Sequence, residues 1–253
     1  MKLARIQFIN VEKVFPTRNG RVKVLHDVAF QVDPQEFVVI LGPSGCGKTT
    51  LLKITAGLYE ATSGRVLVDG IPVHTPSPDR GLVFQNFSLF PWSTVRQNIA
   101  FGPSLHGTNR KALREKVDHY LRAFGLAEFE AFYPSQISGG MQQRVALART
   151  LVNNPRILLL DEPFGSLDAY TRNLIQDFFN SIISDLDKTV LLVTHDINEA
   201  VYLADRVIVL SPRPAHVIAE VAVDIARPRT RAQTYEPHFQ ELARKIYQIV
   251  THG

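Results

Sequence analysis

Short apolar runs broken by turn residues open the chain. Residues 3–10, 22–32 and 36–41 each carry the alternation or β-branched density of a strand. Asn19-Gly20 marks a tight turn between the first two. The third run, Val38-Val39-Ile40, reads as a buried strand and feeds a glycine-rich turn. Residues 48–57 then read as a helix closed by Gly57. Ser63 to Gly70 looks like one short strand between two turns, and Pro72, Pro76 and Pro78 form a stiff loop before a strand at 81–85. Residues 109–124 carry an amphipathic stripe of Leu113, Val117, Tyr120, Leu121 and Phe124, with arginine, lysine and glutamate opposite, as expected of a surface helix. From there helices at 139–152, 169–185 and 196–204 alternate with strands at 157–160, 189–193 and 206–210. That alternation implies a largely parallel sheet covered by helices, with residues 86–137 as a mainly helical second lobe. Residues 211–231 hold Pro212, Pro214 and Pro228 among strand-like positions such as Val217-Ile218. This reads as a proline-stiffened edge hairpin in which proline and arginine need no role toward a substrate. A last helix at 236–250 carries Phe239, Leu242, Ile246, Tyr247 and Val250 along one stripe.

Composition narrows the class. At 253 residues the chain fits one large domain or a core with a subdomain, and its 45% apolar and 21% charged content is that of a soluble globular protein. The net charge of +4 is compatible with a position near anionic lipid but is too small and scattered for a nucleic-acid groove. The single cysteine, Cys46, excludes an internal disulfide and suits a reducing cytosol. The opening MKLARIQFIN lacks the apolar core of a signal peptide, and no window approaches the roughly 18 apolar residues of a membrane span. A membrane role is expected to come through a partner.

The chemistry concentrates first in Gly42-Pro43-Ser44-Gly45-Cys46-Gly47-Lys48-Thr49-Thr50. This is G-x-x-x-x-G-K-[ST] between a strand and a helix, the setting of a phosphate-binding loop. Glycines let amide N–H groups crowd against phosphate oxygens, and the helix aims its positive end at the same anion. Lys48 is placed to neutralise the β- and γ-phosphates of a nucleoside triphosphate and Thr49 to help hold Mg²⁺. A second signal is the apolar strand ending in Asp161-Glu162-Pro163. It sets Asp161 at the carboxyl edge of the sheet to hold Mg²⁺ and Glu162 to polarise the attacking water.

The third signal is Ile137-Ser138-Gly139-Gly140-Met141-Gln142-Gln143-Arg144, upstream of Asp161. With the loop and the acidic strand it resembles the signature motif of ATP-binding cassette (ABC) proteins. Isoleucine replaces the usual leading leucine, and methionine follows the glycines, as in a variant of bacterial import ATPases. Ser138, Gly139, Gly140 and Met141 at a helix start would form a second phosphate-binding end facing the ATP of a second ATPase subunit, an identical copy or a close paralogue. The resemblance also implies that Gln85 senses Mg²⁺ and links two lobes, that Asp168 in Ser166-Leu167-Asp168 crosses the dimer seam, that His195 contacts the γ-phosphate and that Phe15 stacks on adenine. The fold implied is the α/β ABC ATPase fold of the P-loop NTPases, with a mainly parallel core sheet, an antiparallel β subdomain and a helical subdomain. The whole chain, 1–253, would be one cassette. Residues 1–85 and 157–210 would make the RecA-like core with the β subdomain, about 86–156 the helical subdomain, and 211–253 a hairpin and helix.

Phe90-Pro91-Trp92, the segment Leu210-Ser211-Pro212-Arg213-Pro214 and residues 223–229 resemble the nitrate, sulfonate, taurine and bicarbonate import ATPases. That branch implies transmembrane permease subunits, a periplasmic or lipid-anchored solute-binding protein, no nucleic-acid partner, and a peripheral place on the cytoplasmic face of the inner membrane. Phe87, Leu89, Phe90 and Trp92 are expected to form an apolar groove for the permease. A non-transport ABC ATPase of the DNA-repair or translation type is the alternative, but it needs coiled-coil insertions, a basic track or tandem cassettes that this sequence lacks. A small-molecule kinase would leave Ser138-Gly139-Gly140 without a role, and a dead binding module would not need both Glu162 and His195.

Overall fold

The computed structural model describes residues 5–18, 20–105, 109–184 and 187–252. Its strands are β1 (Ile6–Thr17), β2 (Gly20–Val32), β3 (Phe37–Leu41), β4 (Ser63–Val68), β5 (Ile71–Pro72), β6 (Arg80–Val83), β7 (Ile157–Asp161), β8 (Thr189–Thr194), β9 (Arg206–Leu210) and β10 (Val217–Ala222). Its helices are α1 (Lys48–Thr55), α2 (Val95–Leu105), α3 (Arg110–Ala123), α4 (Gly139–Leu151), α5 (Ala169–Ser184), α6 (Ile197–Leu203) and α7 (Pro237–His252).

The larger sheet runs β10-β9-β3-β8-β7-β6, parallel from β9 to β6, with β10 antiparallel at one edge. Its middle strands β3, β8 and β7 are buried at every position, and apolar except for Thr189, Thr194 and Asp161 at strand ends, because both faces are covered. In β3, Phe37, Val39 and Leu41 enter a core shared with α2 to α7, while Val38 and Ile40 enter a second core shared with α1 and the smaller sheet. β7 divides the same way, with Leu158 and Leu160 on one face and Ile157 and Leu159 on the other. The smaller sheet, β2-β1-β4-β5, is antiparallel.

Four local expectations change. The first strand does not stop at residue 10. It continues to Thr17 because its pairing with β2 runs on to Gly20 after the pairing with β4 ends at Glu12, and register shifts absorb the break in alternation at Asn10 to Lys13. Pro72 belongs to edge strand β5 rather than to a loop, a position where a missing N–H is tolerated. The strand expected at 81–85 ends at Val83, so Gln85 lies in the following turn. Helix α2 was not signalled by periodicity, since its buried face includes the polar Asn98, which bonds Phe90, Ser93 and Thr94. Residues 3–4 of the first expected strand, Asn19 of the expected turn and residue 185 of the expected helix lie outside the described residues.

Leu160, fully buried, is the last apolar residue before the acidic pair. Leu160→Ala should cost about 2–5 kcal/mol, the range for a leucine truncated in a packed core, read as a lowered urea midpoint with an unchanged slope.

Candidate active site

The glycine-rich loop leaves β3 at Leu41 and enters α1 at Lys48. Gly47 sits at φ +133°, and a Cβ there would lie 2.8 Å from Leu25 Cδ2 and 2.9 Å from Val24 Cγ1, so no other residue fits. Lys48 is 4% exposed, and its Nζ bends back to donate to the carbonyls of Gly42 (2.8 Å) and Pro43 (3.1 Å). Thr50 follows within the first turn of α1, half-buried. Ser44 and Gly45 form the exposed rim, whereas the Cys46 thiol turns inward to the core beneath Gly42. Cys46 therefore offers a ligand its amide and not its sulfur.

The acidic pair stands across the same edge. Thr49 Oγ1 donates to Asp161 Oδ1 at 2.7 Å. Burial pushes the Asp161 carboxyl above its ordinary range, against the Thr49 hydrogen bond and the charges of Lys53 and Lys48. A hydroxyl and a carboxylate are the hard oxygen donors Mg²⁺ prefers, and they leave most of an octahedron to phosphate oxygens and water. Among the described residues no group of three or more His, Cys, Asp or Glu could hold a metal ion. Glu162 adopts φ +44°, a conformation that costs a non-glycine residue about 1–3 kcal/mol, and its N–H is locked onto the Val193 carbonyl at 3.0 Å. The turn aims its carboxylate between the Lys48 ammonium and the His195 ring. Oε1 lies 3.9 Å from Lys48 Nζ, and Oε2 lies 3.2 Å from His195 Nδ1. Gln85 leaves the same sheet edge, since Val83 pairs with Leu160, but it stands exposed in its turn.

A second constellation lies at the start of α4. Ser138 is the N-cap, accepting the Met141 N–H at 3.3 Å, while the Met141 side chain packs partly on the core. Gly139 faces Leu167, and at Gly140 a Cβ would meet Thr171 Cγ2 at 2.7 Å. Asp168 caps the neighbouring helix by accepting the amides of Tyr170 (3.1 Å) and Thr171 (3.0 Å), which hold its carboxyl below the usual range. Phe15 is half-buried in β1, edge-on to Tyr59 with centroids 5.8 Å apart, and Lys13 Nζ already stands 4.9 Å over its ring.

The four residues expected to form an apolar groove are divided between core and surface. Phe87 and Leu89 pack against the core, whereas Trp92 stays 74% exposed. Phe90 meets Phe101 at 4.5 Å, and with Arg80, Arg149, Asn153 and Pro155 these two line a cavity of about 310 Å³.

Sequence reasoning missed Glu199. It is 6% exposed, its Oε2 accepts from Thr194 Oγ1 at 3.1 Å, and its Oε1 is buried without a partner. Thr194 Oγ1 in turn accepts the Asp196 N–H at 3.0 Å, and Asp196 caps Glu199 N–H at 3.0 Å. This closed set fixes the turn that carries His195. Burial pushes the Glu199 carboxyl up to about 8, so it is neutral at pH 7. The pattern Asp196-x-x-Glu199 reads in sequence as an exposed helix cap, which hid the burial.

Comparison with known proteins adds four findings. The ABC transporter family profile matches residues 25–165. An uncharacterized ABC transporter ATP-binding protein of Methanocaldococcus jannaschii is 47% identical over 97% of this chain and 91% of its own length. An aliphatic sulfonates import ATP-binding protein of Bacillus thuringiensis subsp. konkukian is 42% identical over 96% and 94%. A dimeric ATP-binding cassette in a post-hydrolysis state bound to ADP and Pi superposes with a TM-score of 0.76 at 33% identity, covering 87% of this chain and 100% of that one.

Glu199 generates a pH prediction. Its pKa rises from 4.5 to about 8 on folding, so between those values the folded chain holds a proton that the unfolded chain has lost. Stability should therefore fall as pH rises through that window, by at most about 1.4 kcal/mol per pH unit, and level off above it. Glu199→Gln should flatten the decline in Tm between pH 5 and 8, measured by calorimetry without nucleotide.

Proposed function

The chain belongs to the ABC transporter family, whose ATP-binding cassettes are ATPases coupled to transport, and on that premise we propose that it energises an importer for a sulfonate or a similar small anion. The observation that carries the chemistry is the convergence of Lys48, Thr49, Asp161, Glu162 and His195 at one sheet edge. In this reading Gly42 to Thr50 wrap the phosphates of ATP and Lys48 turns its ammonium from the loop carbonyls to the β- and γ-phosphates. Mg²⁺, when bound, neutralises charge that develops on the phosphoryl oxygens. Thr49, Asp161 and, from its turn, Gln85 would hold it. Glu162 polarises the attacking water, and His195, 3.2 Å away, orients that carboxylate and reaches toward the γ-phosphate. Phosphoryl transfer asks mainly for positioning and charge, which this arrangement supplies.

Ser138, Gly139, Gly140 and Met141 would close on the ATP of a second subunit, with Asp168 at the seam and Phe15 against adenine after Lys13 moves aside. Residues 1–85 and 157–210 would act as the core and about 86–156 as the helical subdomain that moves against it. Among the described residues no helix is long and apolar enough to cross a membrane. We assign attachment to transmembrane permease subunits, at the cytoplasmic face, through the surface of Phe90, Trp92 and Phe101. The sulfonate assignment, with a solute-binding protein delivering the anion, draws its support from the relatives named for aliphatic sulfonate import.

Purification from native membranes in mild detergent should bring down a multi-span permease and a solute-binding protein that takes sulfonates in preference to nitrate or bicarbonate. Recovery on ribosomes or DNA would overturn the transport reading. Glu162→Gln should keep ATP affinity, lower turnover by at least about 100-fold and yield a dimer in saturating ATP by light scattering. Lys48→Ala should instead weaken nucleotide binding itself, measured by calorimetric titration.

A further inference from the structure

The turn between β9 and β10 lies against the phosphate loop and is rigidly held. Buried Ser211 donates its N–H to His216 O (3.0 Å), and its Oγ accepts the His216 N–H (3.0 Å) and pairs with His216 Nδ1 (2.9 Å). Fully buried Ala215 donates to Val24 O and accepts from His26 N–H, both at 2.9 Å. The turn is thereby tied to the stretch of β2 whose Val24 and Leu25 press on Gly47. At its tip, exposed Arg213 donates Nη2 to the Gly45 carbonyl at 2.5 Å.

Gly45 sits at φ +76°, so the loop reverses there. In a trans peptide the carbonyl and the next N–H point in opposite directions, and a carbonyl held outward fixes where the Cys46 amide points. Among the described residues the backbone partner of that amide is distant, Pro43 O at 3.3 Å. We propose that Arg213 is a positioning residue for the nucleotide: its guanidinium clamps the Gly45–Cys46 peptide and presets the phosphate loop, so that the C-terminal hairpin sets ATP affinity. A charge-assisted hydrogen bond is strong enough to offset the freezing of an exposed arginine. The proposal rests on residues 42–50 being the nucleotide cradle.

The test compares Arg213→Ala, Arg213→Lys and Lys48→Ala with the parent protein. Arg213→Ala should raise the KM for MgATP and the Kd for ADP together by about tenfold, the effect of losing one charge-assisted hydrogen bond, with kcat within about twofold. Both nucleotides shift because the loop amides hold phosphates they share. The Tm without nucleotide should not change, and Arg213→Lys, which keeps charge and donor, should recover most of the loss. Unaltered KM and Kd would overturn the proposal, as would a rise matched by a fall in Tm, which reports hairpin stability alone. If Lys48→Ala keeps full nucleotide affinity, the cradle assignment fails and the proposal with it. If Lys48→Ala loses affinity while Arg213→Ala does not, only the role of Arg213 fails.

Discussion

Parallel register is the constraint from which the site follows. Leu41 at the end of β3 stands beside Thr194 of β8, and Val193 stands beside Asp161 of β7. Three strands therefore stop at one edge, and whatever follows each strand emerges there. A glycine-rich loop follows the first, Glu162 the second and His195 the third. No long-range contact has to be specified separately to bring them together. A one-residue slip of β7 against β8 would turn Asp161 to the opposite face and remove it from Thr49.

Charge at that edge is held at low exposure. Lys48 is nearly buried but spends its hydrogens on two loop carbonyls, and Asp161 is buried but accepts from Thr49. An isolated buried charge would be far more costly than either arrangement. Glu199 resolves the same problem by keeping its proton, which places a neutral acid behind the turn of His195 and avoids adding a further negative charge near Asp196 and Glu162. The left-handed backbone at Glu162 is a further local cost, sustained by the Val193 carbonyl and by the strands on either side.

The order of strands and helices, the parallel sheet and the phosphate loop were legible because each rests on a local rule: apolar density in buried strands, caps and glycines at helix ends, fixed spacing in the loop. What was not legible depends on tertiary partners. Gln85 falls outside its strand because β6 has a neighbour on one side only. Asn98 disguised a buried helix face because its amide is satisfied by three carbonyls that lie close to it only after folding. Glu199 matched the pattern of a surface cap, and only the fold reveals that its side chain turns inward to Thr194. Phe87 and Leu89 were grouped with Trp92 on hydrophobicity alone, which does not tell a core residue from an exposed one.

The contact of α4 with α5 at Gly140 has a mechanical side. With no Cβ at that crossing, the helix backbone sits directly on Thr171, and Asp168 caps the helix to which Thr171 belongs. Close packing without a side-chain cushion leaves no slack between the two, because packed interiors deform little. Ser138 and Asp168 thus sit at the ends of a stiff linkage. Rigid packing of this kind is expected to move Ser138 and Asp168 together, as a single gear tooth rather than as separate fingers.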